Sequence, residues 1–416
     1  MNFRGFIDRL EKNNMIKHIN NEININLGLT EFLKNTTQSY IFENIKSFSN
    51  FKIVANLITD RKHLGVAFNC SEQEVVKKIA NAIKKPGKLR EVADAPFFDV
   101  EAKLSDLPIP KYLPTDGGPY ISSAIVITKD PELGNNVSFH RMMLKDGKLV
   151  IRLVKRHTWE FYERSKRNLD IAICIGLDPA ILEAAAVCTK IGVYELPIAS
   201  TLLGNPVEVV KCKTCDLFVP VESEIVIEAT ITNEWVDEGP FLDVTLTPDI
   251  VRSQPLLKIK KIFHRRNPIF YALLPGGYEH GTIWKTPTEA VMFNEINEVC
   301  DCKDVFLSFG GCSRLHGIVK IKKKNEDDSL KAIEAAFKAH PSMKHVFIVD
   351  EDINIYDINA VEWALATRFQ AKTDLVIKHD VEGSTLDPSS HKSGKTSKLG
   401  FDCTIKGDRE LFRKIF

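Results

Sequence analysis

Residues 121–128, ISSAIVIT, open a series of strand-like runs that decides the fold. KLVIRLVK (148–155), DIAICIG (170–176), EVVKC (208–212), EIVIEATIT (224–232), LLKIKKIFH (256–264) and PIFYALL (268–274) follow. Each run is short, rich in valine and isoleucine, and bounded by turn residues, as strands of a β-rich domain are. The spacing predicts a central barrel. One helix, from Pro179 to Cys188, interrupts it: IGLDPA places a glycine turn, then Asp178, then a proline at the first helical position.

Outward from this region the texture changes. The first hundred residues mix helix and strand. FKIVANLIT (51–59) predicts a strand, and Ser71 three residues before Glu74 is a capping-box pattern opening a helix that stops before Pro86. Pro96, Pro108, Pro110, Pro114 and Pro119 then mark a linker or a loop wrapped over a surface. On the other side, TPTE predicts a helix with Thr286 as N-cap, Pro287 first and Glu289 third, running to about Val299. FLSF, GIVKIKK, SLKAIEAAFKAH, HVFIVDED and NAVEWALATRF, the last opened by Asn359, alternate strand and helix. The Ser-, Gly- and Lys-rich stretch from Gly383 to Lys398 predicts a mobile or draped loop. The expected fold class is a multidomain α+β protein: an N-terminal α/β domain over 1–110, a β-barrel domain over 111–285 and a C-terminal α/β domain over 286–416.

The bulk numbers fit this picture. A chain of 416 residues exceeds one ordinary core. Its 56 basic and 55 acidic residues nearly cancel, which gives no support to a nucleic-acid or membrane-surface binder. No apolar run is long enough to span a bilayer, and the charged N-terminal stretch is no signal peptide, so a cytoplasmic location is expected. Nine scattered cysteines fit reduced thiols better than a disulfide framework. Cys212 with Cys215, and Cys300 with Cys302, match no common zinc-ligand pattern and read as buried or half-buried thiols.

Two polar clusters stand out. NNVSFHRMM (135–143) brings Asn136, His140 and Arg141 together, and His157 follows in KRHTW. An imidazole, an amide oxygen and a carboxylate could jointly hold Mn²⁺ or Mg²⁺; a polar loop beside a basic strand end is the commoner outcome of such a pattern. WVDEGPFLD (235–243) sets Glu238 and Asp243 on either side of a Gly-Pro turn. Two such carboxylates do acid–base work when their surroundings drive their pKa values apart, and otherwise form a solvated turn. No P-loop is present, nor a GxGxxG in a strand–helix setting.

Taken in order, NVSFHR, KLVIRLVKRH, AICIGLDPA, YELPIASTLLGNPVEVVKC, VPVESEIVIEATI, EGPFLD, HVFIVDEDINIYDINAVEWALATR and KLGFDCT resemble the UbiD-like decarboxylase family over nearly the whole chain. The resemblance implies a central split β-barrel that holds prenylated FMN, supplied by a partner flavin prenyltransferase, and a C-terminal domain that mediates assembly into a homodimer or hexamer. It implies that Asn136, His157 and Glu195 bind Mn²⁺ (or Mg²⁺), with K⁺ near Arg368 and the backbone of residues 186–188. Phe139, His140, Arg141, Arg156, His157, Glu195 and Lys338 would contact the cofactor. Arg141, Glu238 and Asp243 would be catalytic, with Asp243 delivering the proton and Glu238 as the alternative. From Asp243 onward the chain departs from many relatives, LDVTLTPDIV (242–251) standing where a glycine-aromatic stretch is common.

The implied activity is non-oxidative decarboxylation of an α,β-unsaturated acid through a covalent prenylated-FMN adduct. The compact length looks most like an archaeal branch, which implies trans-anhydromevalonate 5-phosphate going to isopentenyl phosphate and CO₂. Arg252, Lys392 and Lys395 are candidates to meet the phosphate. The alternatives are a polyprenyl 4-hydroxybenzoate-type acid as substrate, and an inactive flavin-binding scaffold.

Overall fold

The computed structural model describes residues 2–390 and 394–413. Their contacts divide the chain into two compact units, Met1–Val75 with Ala82–Ile283, and Val76–Asn81 with Trp284–Phe416.

The first unit is built on a nine-stranded sheet. Its path runs Tyr120–Ile121, Met142–Lys145, Lys148–Ile151, Arg252–His264, Ile225–Glu238, Leu169–Ile175, Ile125–Asp130, Gly134–Phe139, and Val100–Glu101 adds to Arg252–His264. Every pairing is antiparallel. The two end strands do not pair with each other among the described residues, so the sheet is an open path and not a closed barrel. Its middle is an unbroken apolar run, Ile171 to Ile175, with no side chain reaching solvent. A strand covered on both faces reads this way, because neither face has water to favour polar residues. Burying each such isoleucine contributes about 1.5–3 kcal/mol.

Two smaller sheets show how the chain interleaves. Ile16–Ile19, Ser39–Phe42 and Lys52–Ala55 are joined by Ile269–Ala272, which pairs parallel to Lys52–Ala55 from far along the sequence. Leu89–Val92 pairs with Val207–Lys211, which in turn pairs with Phe218–Pro220. The strand expected over 51–59 stops at Ala55 because Asn56 adopts a left-handed φ of 56°. The buried Glu279 carboxylate explains the stop: it accepts from the Asn56 and Ile58 backbone N–H groups, both at 2.8 Å, and from the Tyr271 hydroxyl at 2.7 Å. Burial pushes the Glu279 carboxyl up to about 7.

The second unit carries a five-stranded sheet ordered Asp301–Leu307, His316–Lys322, His345–Asp350, Lys395–Cys403, Leu375–Glu382. Alternate residues serve opposite faces. Val319, Ile321, Val346 and Ile348 meet Ile333 and Phe337 of the helix Asp328–Ala339. Ile318 and Val349 meet Val361 and Ala364 of the helix Ile358–Arg368.

Several local expectations shift. The helix expected to open at Thr286 begins at Tyr278 and runs through Pro287 to Asn297. Burial of Ile283, Ala290, Met292 and Ile296 outweighs the hydrogen bond that proline forgoes. The helix Ile358–Arg368 is capped by Asp357, which accepts from the Asn359 N–H, and not by Asn359 itself. Pro179–Ala186 ends two residues before Cys188. Within the Gly383–Lys398 stretch, Ser384, Asp387 and Ser390 are buried and linked in turns, so this part is draped against its own unit.

Candidate active site

Asn136 lies within the strand Gly134–Phe139, not in a loop, and pairs opposite Thr128. Its side-chain N–H groups donate to Ser138 Oγ and Thr158 Oγ1, both at 3.2 Å. That fixes the amide with Oδ1 towards His157, whose Nδ1 is 3.2 Å away. His157 begins the helix His157–Arg164, and Glu195 stands at the start of the helix Leu196–Leu203. Glu195 Oε1 is 3.9 Å from the same His157 nitrogen. The three residues singled out in the sequence therefore converge, although 59 positions separate the outermost two.

Burial shapes the electrostatics of this trio. Glu195 accepts from the Val137 N–H at 3.0 Å and the Thr189 hydroxyl at 2.7 Å. Burial nevertheless pushes its carboxyl up to about 7. Burial, and then the neighbouring Arg156, hold the His157 imidazole below its usual range and so neutral. Two oxygen donors and one neutral imidazole are the donor set that suits Mn²⁺ or Mg²⁺.

His140 is the hinge to the second cluster. Its Nδ1 is 3.0 Å from the Arg152 carbonyl, which can only accept. Nδ1 therefore carries the proton, and Nε2 accepts from the hydroxyls of Ser138 and Thr158 at 3.1 Å. Burial keeps this ring neutral.

Arg141, the next residue, makes a two-pronged contact with the fully buried Glu238, Nε to Oε1 at 2.9 Å and Nη2 to Oε2 at 3.0 Å. Glu238 ends the strand Ile225–Glu238 and also accepts from the Tyr120 hydroxyl at 3.0 Å. Phe241 packs its ring 4.5 Å from the Arg141 guanidinium. Burial opposes the charge on Arg141, but Glu238 and then Asp249 outweigh it and hold the guanidinium above its usual range. The acidic turn is kept close by Gly117, whose N–H donates to the Pro240 carbonyl at 2.8 Å. A Cβ at Gly117 would lie 2.1 Å from the Gly239 carbonyl oxygen, so only glycine fits.

The second carboxylate at Arg141 is Asp249, at 2.8 Å, which the sequence reading did not single out. Asp249 sits in the short hairpin Phe241–Leu242/Pro248–Asp249 and also binds Arg252. Burial pushes Asp249 up, but Arg252 and Arg141 together hold it below the usual carboxylate range. The pairing of Glu238 with Arg252 across the two long strands was the available signal, and it requires the register to be known. Asp243 bonds within its own turn, accepting from the Val244 N–H at 2.6 Å, and has no ion-pair partner among the described residues. Arg152 joins the cluster too: burial, then Arg252 and Arg141, hold its guanidinium below the usual range.

The remaining expected residues are placed as follows. Phe139 is half-buried at the end of its strand, and Arg156 is exposed at the cap of the His157 helix. In the second unit, Lys338 is exposed and paired with Glu295 at 2.9 Å. Arg368 is buried and held by Asp350 and Asp352 at 3.1 and 2.6 Å. Lys395 begins the strand Lys395–Cys403, opposite Glu382. Lys392 lies outside the described residues.

Fold and site together define a multidomain α/β enzyme whose half-buried Arg141 is held between two carboxylates. Three family models agree: residues 7–83, 89–278 and 281–403 match the N-terminal, Rift-related and C-terminal domains of 3-octaprenyl-4-hydroxybenzoate carboxy-lyase. The chain belongs to the UbiD family of carboxy-lyases. It is 41% identical over 401 residues to the anhydromevalonate phosphate decarboxylase of Methanocaldococcus jannaschii, covering 93% of this chain and 94% of that protein. Among solved structures it resembles the UbiD-class enzyme HmfF of Pelotomaculum thermopropionicum in complex with FMN, at 35% identity and a TM-score of 0.95, covering 100% of this chain and 97% of that one. An evolved dimeric form of the same enzyme in complex with prFMN matches at 34% identity and a TM-score of 0.91, covering 100% and 96%. Among the described residues, no helix is long and apolar enough to cross a membrane.

Proposed function

We propose that this chain decarboxylates trans-anhydromevalonate 5-phosphate, a phosphorylated α,β-unsaturated acid, to isopentenyl phosphate and CO₂, using prenylated FMN and Mn²⁺. The observation that carries the substrate is the charge at the second cluster. Arg141, Arg152 and Arg252 gather near Glu238, Asp249 and the buried Asp116, and burial, then Arg252 and Arg141, lower the proton affinity of Arg152. Arg152, a half-buried arginine with no ion-pair partner among the described residues, suits an acid that carries a carboxylate and a phosphate better than one that carries a polyprenyl chain. The name of the archaeal relative supports the same substrate.

The donor set of Asn136, His157 and Glu195 fits Mn²⁺, which would neutralise the flavin phosphate. Prenylated FMN, when bound, supplies a sink for the electron pair left on the substrate carbon as CO₂ departs. Phe139, His140 and Arg156 would line the flavin, with Lys338 and Arg368 entering through the family resemblance alone. Arg141 orients the leaving carboxylate, its guanidinium pre-set by Glu238 and Asp249. Arg252 and Arg141 hold Asp249 below the usual carboxylate range, which makes it a poor proton donor, and both oxygens of Glu238 are engaged by Arg141. Asp243, on the adjoining turn with no cation beside it, is the better source of the proton that replaces CO₂. The division at residues 110 and 285, a split-barrel curl of the nine-stranded sheet, and assembly as a homodimer or hexamer belong to the same reading.

The test is decarboxylation of trans-anhydromevalonate 5-phosphate by protein co-expressed with a flavin prenyltransferase, following CO₂ and isopentenyl phosphate. Product that depends on the prenyltransferase and Mn²⁺ is expected. Flavin-loaded protein that leaves this acid untouched but decarboxylates a 4-hydroxybenzoate-type acid would overturn the substrate. Loaded protein inactive on both would point to a scaffold.

A further inference from the structure

The strand Val207–Lys211 turns into Phe218–Pro220 through Cys212-Lys213-Thr214-Cys215-Asp216-Leu217, and the turn is closed by a Cys212 N–H to Leu217 carbonyl bond of 2.9 Å. The loop is folded around one buried side chain from another sheet. Glu228, in the strand Ile225–Glu238, accepts from the Lys213 N–H at 2.8 Å, the Thr214 N–H at 2.6 Å and the Thr214 hydroxyl at 2.5 Å. This arrangement sets both cysteines beside the carboxylate. The Cys212 and Cys215 sulfurs and a Glu228 oxygen all lie within 4.8 Å of one another.

The charge of Glu228 lacks a counter-ion. The residue is fully buried, and among the described residues no lysine, arginine or histidine pairs with it. The two nearby candidates are turned elsewhere. Lys213 lies over the Phe98 ring at 4.0 Å, and Lys261, opposite Glu228 in the neighbouring strand, pairs with Glu101 at 2.5 Å. A buried carboxylate compensated only by neutral donors is costly, and a cation at this point would offset that cost.

We propose that Cys212, Cys215 and Glu228 form a site for Zn²⁺, or a similarly thiophilic divalent cation, that pins the 212–217 loop to the nine-stranded sheet. Two thiolates and one carboxylate are three of the four ligands of a tetrahedral zinc site. Cys212 is buried while Cys215 is half-buried, so the ion and a water for the fourth position have an approach from solvent on the Cys215 side. Cys174 lies on the same face of the sheet, two residues out of register from Glu228, but it is fully buried and stands outside the group of three ligand atoms, so water from the Cys215 side completes the fourth position. Binding balances as Zn²⁺ plus two thiols giving two Zn–S bonds and two released protons, with no change of oxidation state. The site is separate from the Asn136, His157 and Glu195 cluster, whose donors are nitrogen and oxygen. It is also ten residues down the same strand from Glu238, roughly 30 Å at the usual rise per residue.

The test uses full-length protein with its cofactor. Cd²⁺ added to chelator-treated protein should produce a thiolate-to-metal ultraviolet band that saturates at one equivalent and is competed by Zn²⁺. Zn²⁺ should also slow iodoacetamide labelling of Cys212 and Cys215 together by roughly tenfold, read peptide by peptide by mass spectrometry, because a coordinated thiolate is a poor nucleophile. Cys215→Ser should lose the band while binding of Mn²⁺ is retained. Absence of the band, equal labelling with and without Zn²⁺, or a Cys212–Cys215 disulfide in freshly purified protein would each overturn the assignment. The labelling comparison needs no variant, so a poorly folding substitution leaves the test intact.

Discussion

Replacing Glu195 by Gln should make the metal-free protein more stable, although it removes a buried residue with two hydrogen bonds. Burial raises the Glu195 carboxyl from an ordinary 4.5 to about 7. In the metal-free fold the proton stays on as pH rises from 4.5 towards about 7, whereas the unfolded chain has already ionised. The unfolded state therefore binds fewer protons, and stability falls with rising pH across that window. Above it the full cost applies, of the order of 3 kcal/mol for a shift of this size. Glutamine keeps an oxygen for the Val137 N–H and presents an N–H₂ to the Thr189 hydroxyl, which can accept. At about pH 8 the variant should exceed the wild type by up to ~3 kcal/mol, the gap closing near about pH 4. His157 is common to both proteins, so its own titration largely cancels in the difference. The assay is urea unfolding of chelator-treated protein at several pH values, following the fluorescence transition of the unit that holds Trp159 and Trp235. Mn²⁺ at about a hundred times its dissociation constant should add about 2.7 kcal/mol to the wild type and little to the variant. A variant less stable than wild type at the higher pH, or equal stabilisation of both by Mn²⁺, would refute the reasoning.

Other outcomes follow from the second cluster. Glu238→Gln leaves the half-buried Arg141 with Asp249 as its remaining ion-pair partner and should cost about 3 kcal/mol of stability, seen in the same unfolding assay. Asp243→Asn should abolish turnover while the flavin spectrum of the loaded enzyme is unchanged; Asp249→Asn should retain turnover but raise KM, since it loosens Arg141 and Arg252 without removing the proton donor. Arg252→Gln should lower kcat/KM for the phosphorylated acid by roughly 10–100-fold, one charge-assisted contact, and by less for an acid without phosphate. Gly117→Ala forces a Cβ against the Gly239 carbonyl and should lower the thermal midpoint, at about 1–3 kcal/mol.

Strand runs were legible in the sequence because alternation and unbroken apolar stretches report how many faces of a strand meet water, and that is a local property. ISSAIVIT, DIAICIG and EIVIEATIT reappear as Ile125–Asp130, Leu169–Ile175 and Ile225–Glu238, and the α/β alternation of the C-terminal region was readable for the same reason. Asn136, His157, Glu195, Arg141 and Glu238 were picked out by residue type and by an order of motifs. Composition could not say that the first three meet around one His157 nitrogen, or that Arg141 and Glu238 bond in two places. Asp249 reached Arg141 only through a hairpin register. The stop at Asn56 depended on a carboxylate 223 positions away, and the pair Cys212 and Cys215 lacked a third ligand until a neighbouring strand supplied Glu228. Local chemistry fixes what a residue offers, but which offers meet is set by strand register and burial, whose energies are shared over whole sheets and leave no short-range trace in the chain.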